Sequence, residues 1–254
     1  MAYNLSKMKA TIVIPARLAS SRLPRKVLAD IAGKPLVQHV YERATKAAAH
    51  QVLVATDSEE VRRTVEEFGG TAILTDPDLP SGTARIASII DRISSEIIVN
   101  VQGDQPLVEP DLIAQIIKTF SDTPADIVTP VWRITDNTDL VDPGIAKVVR
   151  GHDGQALYFS RSPIPYVRDI PVSDWLQKTV FWGHYGIYGY RRQVLVDFKT
   201  SIPPGPLEEA EKLEQLRFLE SGYSIYTVET GYRQVAVDTA EDLARVRRMM
   251  TPAK

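Results

Sequence analysis

The stretch ATIVIPARLASSRLPRKVLAD (residues 10–30) decides the fold of this chain. It begins with a mostly apolar run that is rich in β-branched side chains, which is typical of a strand buried on both faces of a parallel sheet. Four cations, Arg17, Arg22, Arg25 and Lys26, follow without a glycine among them. Because ligands of open α/β sheets bind beyond the carboxyl ends of the strands, this order predicts a ligand site in the cationic loop.

Further short apolar runs alternate with segments of helical periodicity along the first half of the chain. They occupy residues 51–56, 71–75, 97–101 and 126–131. Repetition of strand, helix and strand predicts an α/β fold with a doubly wound, mostly parallel (Rossmann-like) sheet.

The pattern changes after about residue 142, where ALYFSR (156–161) and HYGIYGY (184–190) are typical of strands in a mixed region. We expect residues 1–8 to be a loose extension and residues 9–254 to form a single domain. Within that domain, residues 142–206 are expected to form a smaller mixed lobe.

The C-terminal part is expected to contain one more helix, two strands and a last helix. Residues 206–223 have the periodicity of one amphipathic helix, and residues 223–229 and 234–237 resemble late strands. Thr239 and Asp242 have the spacing of a capping box at the start of the last helix.

Composition excludes several classes of function. Lys and Arg number 30 against 32 Asp and Glu, so no general attraction to nucleic acid is expected. The absence of cysteine excludes disulfides, thiolate zinc sites and cysteine nucleophiles. No apolar stretch approaches the roughly 20 residues that span a bilayer, so we expect a cytoplasmic protein without membrane insertion.

Three predicted strand ends supply the candidate site residues: the cationic loop, Gln102 with Asp104, and Asp238. Arginine and lysine bind phosphate oxygens, and Mg²⁺ takes one or two protein carboxylates together with substrate phosphates. The three strand ends therefore predict a magnesium-dependent phosphoryl-transfer site. The alternatives are a solvated basic loop, a turn-forming Asp104 and an Asp238 that caps a helix.

Other enzyme motifs are missing. The sequence has no G-x-x-x-x-G-K-[ST], G-x-G-x-x-G or G-x-S-x-G, which disfavours P-loop NTPases, ordinary dinucleotide folds and serine hydrolases. None of the four histidines has zinc-site spacing, and His184 is the one expected near a site.

Eight motifs in order resemble the 3-deoxy-manno-octulosonate (KDO) cytidylyltransferases, also called CMP-KDO synthetases. They are IPARLASSRLPRKVL, SGTAR, VQGDQP, KVV, ALYFSR, HYGIYGY, KLEQLR and VDTAEDL. The likeness as a whole runs from about Ala10 to about Met250. The resemblance implies a nucleotidyltransferase fold, CTP and an octulosonic sugar acid as substrates, Mg²⁺ as cofactor, and CMP-KDO and pyrophosphate as products.

The resemblance also implies roles for individual residues. Its catalytic residues would be Arg17, Lys26, Asp104 and Asp238, of which Asp104 and Asp238 would bind the metal. Nucleotide contacts are implied for Arg17, Arg22, Lys26, Ser81, Gly82 and Gln102. Sugar contacts are implied for Gln102, Arg161, Arg168, His184, Tyr188, Glu214 and Gln215.

Several positions depart from what many family members carry: Leu18, Arg25, Ala84, Gln105 and Glu209. They leave open an 8-amino form of the same sugar as substrate. The family is typically dimeric, and we expect a homodimer through the 142–206 lobe, where Trp175, Phe181 and Trp182 offer aromatic surface. The rival hypotheses are a metal-dependent glycosyltransferase and a non-catalytic nucleotide or sugar sensor.

Overall fold

The computed structural model describes residues 8–20, 22–47 and 49–250, so most of the expected extension at 1–8 lies outside the described residues. Twelve strands occur in this part of the chain: β1 Ala10–Pro15, β2 Asp30–Ile31, β3 Lys34–Pro35, β4 Gln51–Thr56, β5 Ala72–Leu74, β6 Ile97–Asn100, β7 Ile127–Ile134, β8 Lys147–Arg150, β9 Ala156–Ser160, β10 Phe181–His184, β11 Tyr188–Arg191 and β12 Ile225–Glu229.

Nine α-helices connect or follow these strands in the described ranges. They are α1 Leu36–Ala44, α2 Glu59–Glu67, α3 Gly82–Ser88, α4 Pro110–Asp122, α5 Asn137–Val141, α6 Arg192–Thr200, α7 Pro206–Glu211, α8 Gln215–Glu220 and α9 Ala240–Met250. Several of these helices begin at a capping side chain. The Ser58 side chain accepts a hydrogen bond from the Val61 amide at the start of α2, and the predicted Thr239–Asp242 capping box is present before α9.

Ten strands form one mixed sheet in the order β5-β4-β1-β6-β11-β7-β10-β8-β9, with β12 paired to β7. The β5-β4-β1-β6 half is parallel, as is the β7–β12 pair. β11 is antiparallel to both of its neighbours, β6 and β7. The predicted α/β fold with a doubly wound sheet is confirmed.

The sheet separates two hydrophobic clusters. Along β1, Ile12 and Ile14 point into one cluster and Val13 points into the other, and all three are fully buried. Helices α1, α2, α4 and α9 cover the first face, whereas α3, α6 and α8 cover the second. The apolar run of residues 10–14 is therefore buried on both faces, as the sequence predicts.

The strands of the 142–206 region extend the main sheet. β10 pairs antiparallel with β7 and β8, and β8 pairs antiparallel with β9. The prediction of one strand over 184–190 is wrong: β10 ends at His184, and β11 starts at Tyr188. The turn between them carries the chain from one side of β7 to the other.

The predicted helix over 206–223 is also interrupted. α7 ends before Lys212, which has φ 53°, and α8 starts at Gln215. The Arg161 guanidinium donates hydrogen bonds to the carbonyl oxygens of Glu211 and Lys212. At the break, these two carbonyl oxygens accept hydrogen bonds from a side chain that is distant in sequence. The periodicity of the sequence does not reveal such a contact.

Two of the aromatic residues expected at a dimer interface pack inside the protein. Phe181 is fully buried and Trp175 nearly so, and their rings stack with centroids 5.9 Å apart. The prediction that these two rings form a surface is therefore wrong, whereas Trp182 is partly exposed beneath the Arg150 guanidinium. Within the described ranges, no helix is both long enough and apolar enough to span a membrane.

Gly103 allows the backbone that follows β6 to lie close to the end of β1. A Cβ atom added to Gly103 would lie 2.8 Å from the Pro15 carbonyl oxygen, so the backbone would have to move. We expect Gly103→Ala to lower the free energy of unfolding by about 1–3 kcal/mol, as overpacking does. Urea unfolding measures this loss. Gly231→Ala is the control, because its Cβ would contact nothing within 4 Å; an equal loss in both variants would contradict the argument.

Candidate active site

A cavity of about 320 Å³ lies beyond the carboxyl ends of β1 and β6. These strands are parallel neighbours, so the segments that follow them emerge side by side. The cavity is lined by every residue for which the family resemblance implies a nucleotide contact, and by both aspartates. These residues are Arg17, Arg22, Lys26, Ser81, Gly82, Gln102, Asp104 and Asp238.

Lys26 joins the two aspartates in this cavity. Its Nζ lies 2.7 Å from Asp104 Oδ2 and 2.8 Å from Asp238 Oδ1, so these two oxygens are separated by no more than the sum of those distances. Arg22 Nη2 lies 3.2 Å from the other Asp238 oxygen. The structure therefore brings both carboxylates and two loop cations together.

The ammonium of Lys26 is stable in its charged form. Burial by itself lowers the pKa of this group, but the charges and hydrogen bonds of Asp104 and Asp238 outweigh it, so the pKa is raised. Because a raised lysine pKa favours the charged form further, Lys26 stays protonated at neutral pH.

Asp238 is positioned by an irregular segment. The prediction of a strand over residues 234–237 is wrong, because these residues pair with no strand. Instead, the Val237 amide donates to the Asp104 carbonyl oxygen at 2.9 Å, and the Asp238 amide donates to Asp242 Oδ2 at 3.2 Å. Asp238 is thus fixed between the β6 end and the first turn of α9.

The other side chains near this cavity differ in whether they already have hydrogen-bond or ion-pair partners. The exposed Arg17 side chain has no hydrogen-bond or ion-pair partner among the described residues. The Ser81 hydroxyl accepts from the Ala84 amide at 3.1 Å and caps α3, and Gln102 donates to Asn100 Oδ1 at 3.1 Å. Arg25, in contrast, pairs with Glu60 on α2.

Sequence reasoning gave no role to Arg85, which also contributes to this cavity. Its side chain is 3% exposed, and it binds Thr75 Oγ1, the Asp76 carbonyl oxygen and the Asp57 carboxylate. The guanidinium therefore ties α3 to the segments that follow β4 and β5. Its position as the last residue of the SGTAR motif could have indicated that it belongs to the site.

A second cavity of about 590 Å³ adjoins the first, and Asp238 borders both. Four residues with implied sugar contacts line it: Arg161, His184, Tyr188 and Gln215. Gln215 is 4% exposed, and its Nε2 donates to no acceptor in the described part of the chain. A buried amide without a partner is costly, and a polar ligand in the cavity would satisfy it.

His184 and Tyr188 are neutral. Burial lowers the pKa of His184 to about 3 and raises the pKa of Tyr188 well above its usual value. The His184 ring packs edge-on against Phe159 and is tilted against Tyr188, with centroids 5.2 and 5.3 Å apart. These groups can therefore exchange hydrogen bonds with a ligand but do not carry charge at neutral pH.

Arg161 supplies a cation at this cavity and also organises its boundary. Its Nε, Nη1 and Nη2 atoms donate to the carbonyl oxygens of Glu211, Pro143 and Lys212. The fully buried Lys147 binds the same turn through the carbonyl oxygens of Asp142 and Ile145. A guanidinium has five N–H donors, so two donors of Arg161 remain for a ligand.

Two residues with implied sugar contacts lie elsewhere. The Arg168 side chain is 89% exposed, pairs with the adjacent Asp169 and does not line the second cavity. Glu214 lines a separate cavity with Ser81 and Arg217. The structure gives no geometric support to a sugar contact by either side chain.

The second cavity is also lined by residues to which the sequence analysis gave no role: Asp139, Arg233, Gln234 and Arg245. Arg233 lies 3.1 Å from Asp139 Oδ2, with its guanidinium over the Trp132 ring. Arg233 belongs to the irregular segment before Asp238, where no periodicity marks the direction of a side chain. Sequence patterns therefore gave no signal for it.

The donor set fits Mg²⁺ shared with a substrate. Within the described ranges, no group of three or more His, Cys, Asp or Glu side chains converges as a complete metal site. Asp104 and Asp238 supply oxygen ligands only, and Mg²⁺ takes one or two protein carboxylates with phosphate and water oxygens. The Lys26 ammonium lies between these two carboxylates and neutralises their charge, and a hard cation would bind at the same place.

Comparison with known proteins identifies the family to which this chain belongs. The sequence profile of a family described as cytidylyltransferase matches residues 11–225. A 3-deoxy-manno-octulosonate cytidylyltransferase of Geobacter sulfurreducens is 47% identical over 94% of this chain and 98% of that protein. Another, from Actinobacillus pleuropneumoniae, is 43% identical over 96% of this chain and 99% of that protein.

Solved structures agree. A CMP:2-keto-3-deoxy-manno-octonic acid synthetase complexed with CTP superposes with a TM-score of 0.89 at 42% identity, covering 95% of this chain and 98% of that one. A putative glucose-1-phosphate thymidylyltransferase from Bacillus anthracis, 17% identical, has a TM-score of 0.67 over 96% of this chain and 98% of that one and shares the fold. The resemblance found in the eight motifs is confirmed over nearly the whole length, and the chain belongs to the family of 3-deoxy-manno-octulosonate cytidylyltransferases.

Proposed function

We propose that this protein transfers the cytidylyl group of CTP to 3-deoxy-manno-octulosonate, which yields CMP-KDO and pyrophosphate. The observation that carries this proposal is the junction of two polar cavities at Asp238, one bordered by loop cations and the other by neutral hydrogen-bonding groups. A triphosphate suits the first cavity, and a polyhydroxylated acid suits the second.

The loop cations bind the triphosphate in this proposal. Arg17 has no partner among the described residues, so its donors are available at no cost in existing contacts. Arg22 and Lys26 face Asp238 in the free protein. Their positive charge stabilises the negative charge on the departing pyrophosphate, which is the main demand in this class of reaction.

Asp104 and Asp238 hold Mg²⁺ in this proposal. When bound, the ion would neutralise phosphate charge and make the α-phosphorus more electrophilic. The residues themselves orient the reactants: Asp238 lies where both cavities meet, so the reacting atoms are expected beside it. The 2-hydroxyl oxygen of the sugar bonds to the α-phosphorus, the bond from that phosphorus to the bridging oxygen breaks, pyrophosphate leaves with the electron pair, and the hydroxyl proton passes to solvent water.

The second cavity provides the contacts that a sugar acid needs. Gln215 has an unpaired amide donor, and His184 and Tyr188 offer neutral polar groups beside it. The two remaining donors of Arg161 are suited to the sugar carboxylate. Arg168 is not included, because its exposed side chain lies outside the lining of this cavity.

Two further expectations stay predictions: a cytoplasmic location and a homodimer through the 142–206 region. Leu157 on the edge strand β9 is 62% exposed and Tyr166 is 75% exposed, so apolar surface of this region supports an interface.

The first test is a substrate screen. We expect pyrophosphate release only with Mg²⁺, CTP and KDO together, because base and sugar are both needed to fill the joined cavities. Each of the other three nucleoside triphosphates replaces CTP in turn, and the 8-amino analogue replaces KDO. A higher kcat/KM for the 8-amino sugar would assign that sugar instead, and no release with any sugar acid would refute the proposal.

The second test removes one carboxylate charge. We expect Asp104→Asn to lower kcat on the order of 100- to 1,000-fold, as the loss of a group that stabilises transition-state charge does. Steady-state pyrophosphate release measures this, and circular dichroism checks folding. Asp122→Asn is the control, because Asp122 is half exposed and, in the described part of the chain, pairs only with Lys118 on its own helix. Similar kcat values for the two variants would remove Asp104 from the mechanism.

The third test separates the two cavities. We expect Gln215→Leu to raise KM for the sugar acid by roughly 5-fold and to leave KM for CTP unchanged, because one hydrogen bond of about 1 kcal/mol is lost in the sugar cavity alone. Gln193→Leu, on the exposed face of α6, should change neither constant. A rise in the CTP constant alone would place the sugar elsewhere.

A further inference from the structure

Thr129 is a buried polar residue on β7 whose hydroxyl meets three groups. It is 0% exposed, and its Oγ1 lies 2.8 Å from the Ile187 carbonyl oxygen, 3.2 Å from the Tyr185 carbonyl oxygen and 2.9 Å from His184 Nε2. Both carbonyls belong to the turn between β10 and β11, which directly follows His184 at the end of β10. No role in the reaction follows for Thr129 from the sequence.

Counting protons decides the direction of these contacts. A hydroxyl has one proton to donate, and a carbonyl oxygen can only accept. If Thr129 donated to His184 Nε2, its fully buried oxygen would face two carbonyl oxygens at 2.8 and 3.2 Å without a proton between them. Repulsion between the lone pairs disfavours that arrangement.

The opposite arrangement satisfies the Thr129 hydroxyl, His184 Nε2 and both carbonyl oxygens. Thr129 donates to the Ile187 carbonyl oxygen, the shorter of the two contacts, and accepts the proton of His184 Nε2–H. The Tyr185 carbonyl oxygen already accepts from the Ile187 amide at 2.7 Å. A proton on Nε2 leaves Nδ1 of a neutral imidazole with a lone pair.

We propose that Thr129 is a positioning residue that fixes His184 as the Nε2–H tautomer, so that Nδ1 acts only as a hydrogen-bond acceptor toward the ligand of the second cavity. His184 lines that cavity, and Nδ1 has no partner within the described chain. The ring is held between Phe159 and Tyr188, so it presents the same edge. Burial keeps the ring neutral, because it lowers the pKa of His184 to about 3.

The consequence for the substrate rests on the proposed function. An acceptor at Nδ1 recognises a hydroxyl or ammonium donor of the sugar and penalises an analogue in which that group is methylated or removed. Hydrogen-bond donors in the same cavity, such as the Gln215 amide, recognise acceptors instead. The two side chains therefore give the cavity a defined order of donor and acceptor groups.

Nitrogen NMR of the free protein tests the tautomer without any substrate. The ¹⁵N chemical shifts of the imidazole ring distinguish a protonated from an unprotonated nitrogen, and His184→Asn identifies the signals. We expect only Nε2–H in the wild type and in Thr129→Ser, which keeps the hydroxyl. Thr129→Val should populate Nδ1–H, because the buried Nε2–H loses its acceptor.

Kinetics then connects the tautomer to the substrate. We expect Thr129→Val to raise KM for the sugar acid roughly 3- to 10-fold with the CTP constant unchanged, and Thr129→Ser to restore it. Thr227→Val is the matched control: Thr227 faces Thr129 in register on β12, is buried, and donates to the Gly154 carbonyl oxygen without contacting a histidine.

Each outcome decides the proposal. A wild-type Nδ1–H signal would overturn it even if Thr129→Val failed to fold, and so would a sugar constant that rises equally in Thr129→Val and Thr227→Val. If the wild type shows Nε2–H but turns over no sugar acid, the tautomer assignment holds and the proposed function fails. The two hypotheses are thus tested separately.

Discussion

The ammonium of Lys26 holds together three segments that are far apart in the sequence. It binds Asp104, 78 residues away, and Asp238, 212 residues away, at 2.7 and 2.8 Å. Two carboxylates this close repel each other strongly in a partly buried site unless a cation lies between them. The cationic loop, the end of β6 and the start of α9 therefore keep their positions as one unit, and both cavities depend on this contact.

The mixed sheet explains why two cavities meet at this place. β11 is inserted antiparallel between β6 and β7, so Tyr188 at its first position pairs with Asn100 at the last position of β6. His184 at the end of β10 reaches the same region from the far side of β7. The parallel half of the sheet thus positions the loop cations and Asp104, whereas the antiparallel half positions neutral groups beside them.

Local patterns predicted the features that depend on local physics. Burial of residues 10–14, the capping box of Thr239 and Asp242, and the nearness of Lys26 and Asp104 followed from hydrophobic runs, capping residues and strand ends. Asp238 reaches the same place from a segment that forms no strand. Long-range contacts produced the differences. The break at Lys212 accompanies hydrogen bonds from Arg161, and residues 234–237 bind the Asp104 loop instead of a strand. Arg168 lies in none of the eight motifs and was assigned through the family resemblance alone, and no pattern predicts the direction of an exposed arginine side chain.

The position of Asp238 between the two cavities has a thermodynamic consequence. A ligand in either cavity changes the electrostatic surroundings of the same carboxylate, so the two binding equilibria cannot be independent. By linkage, whatever factor the nucleotide imposes on the dissociation constant of the acid, the acid must impose on that of the nucleotide. One side chain in a shared boundary is enough to make the two ligands cooperative or antagonistic, without any movement of the sheet.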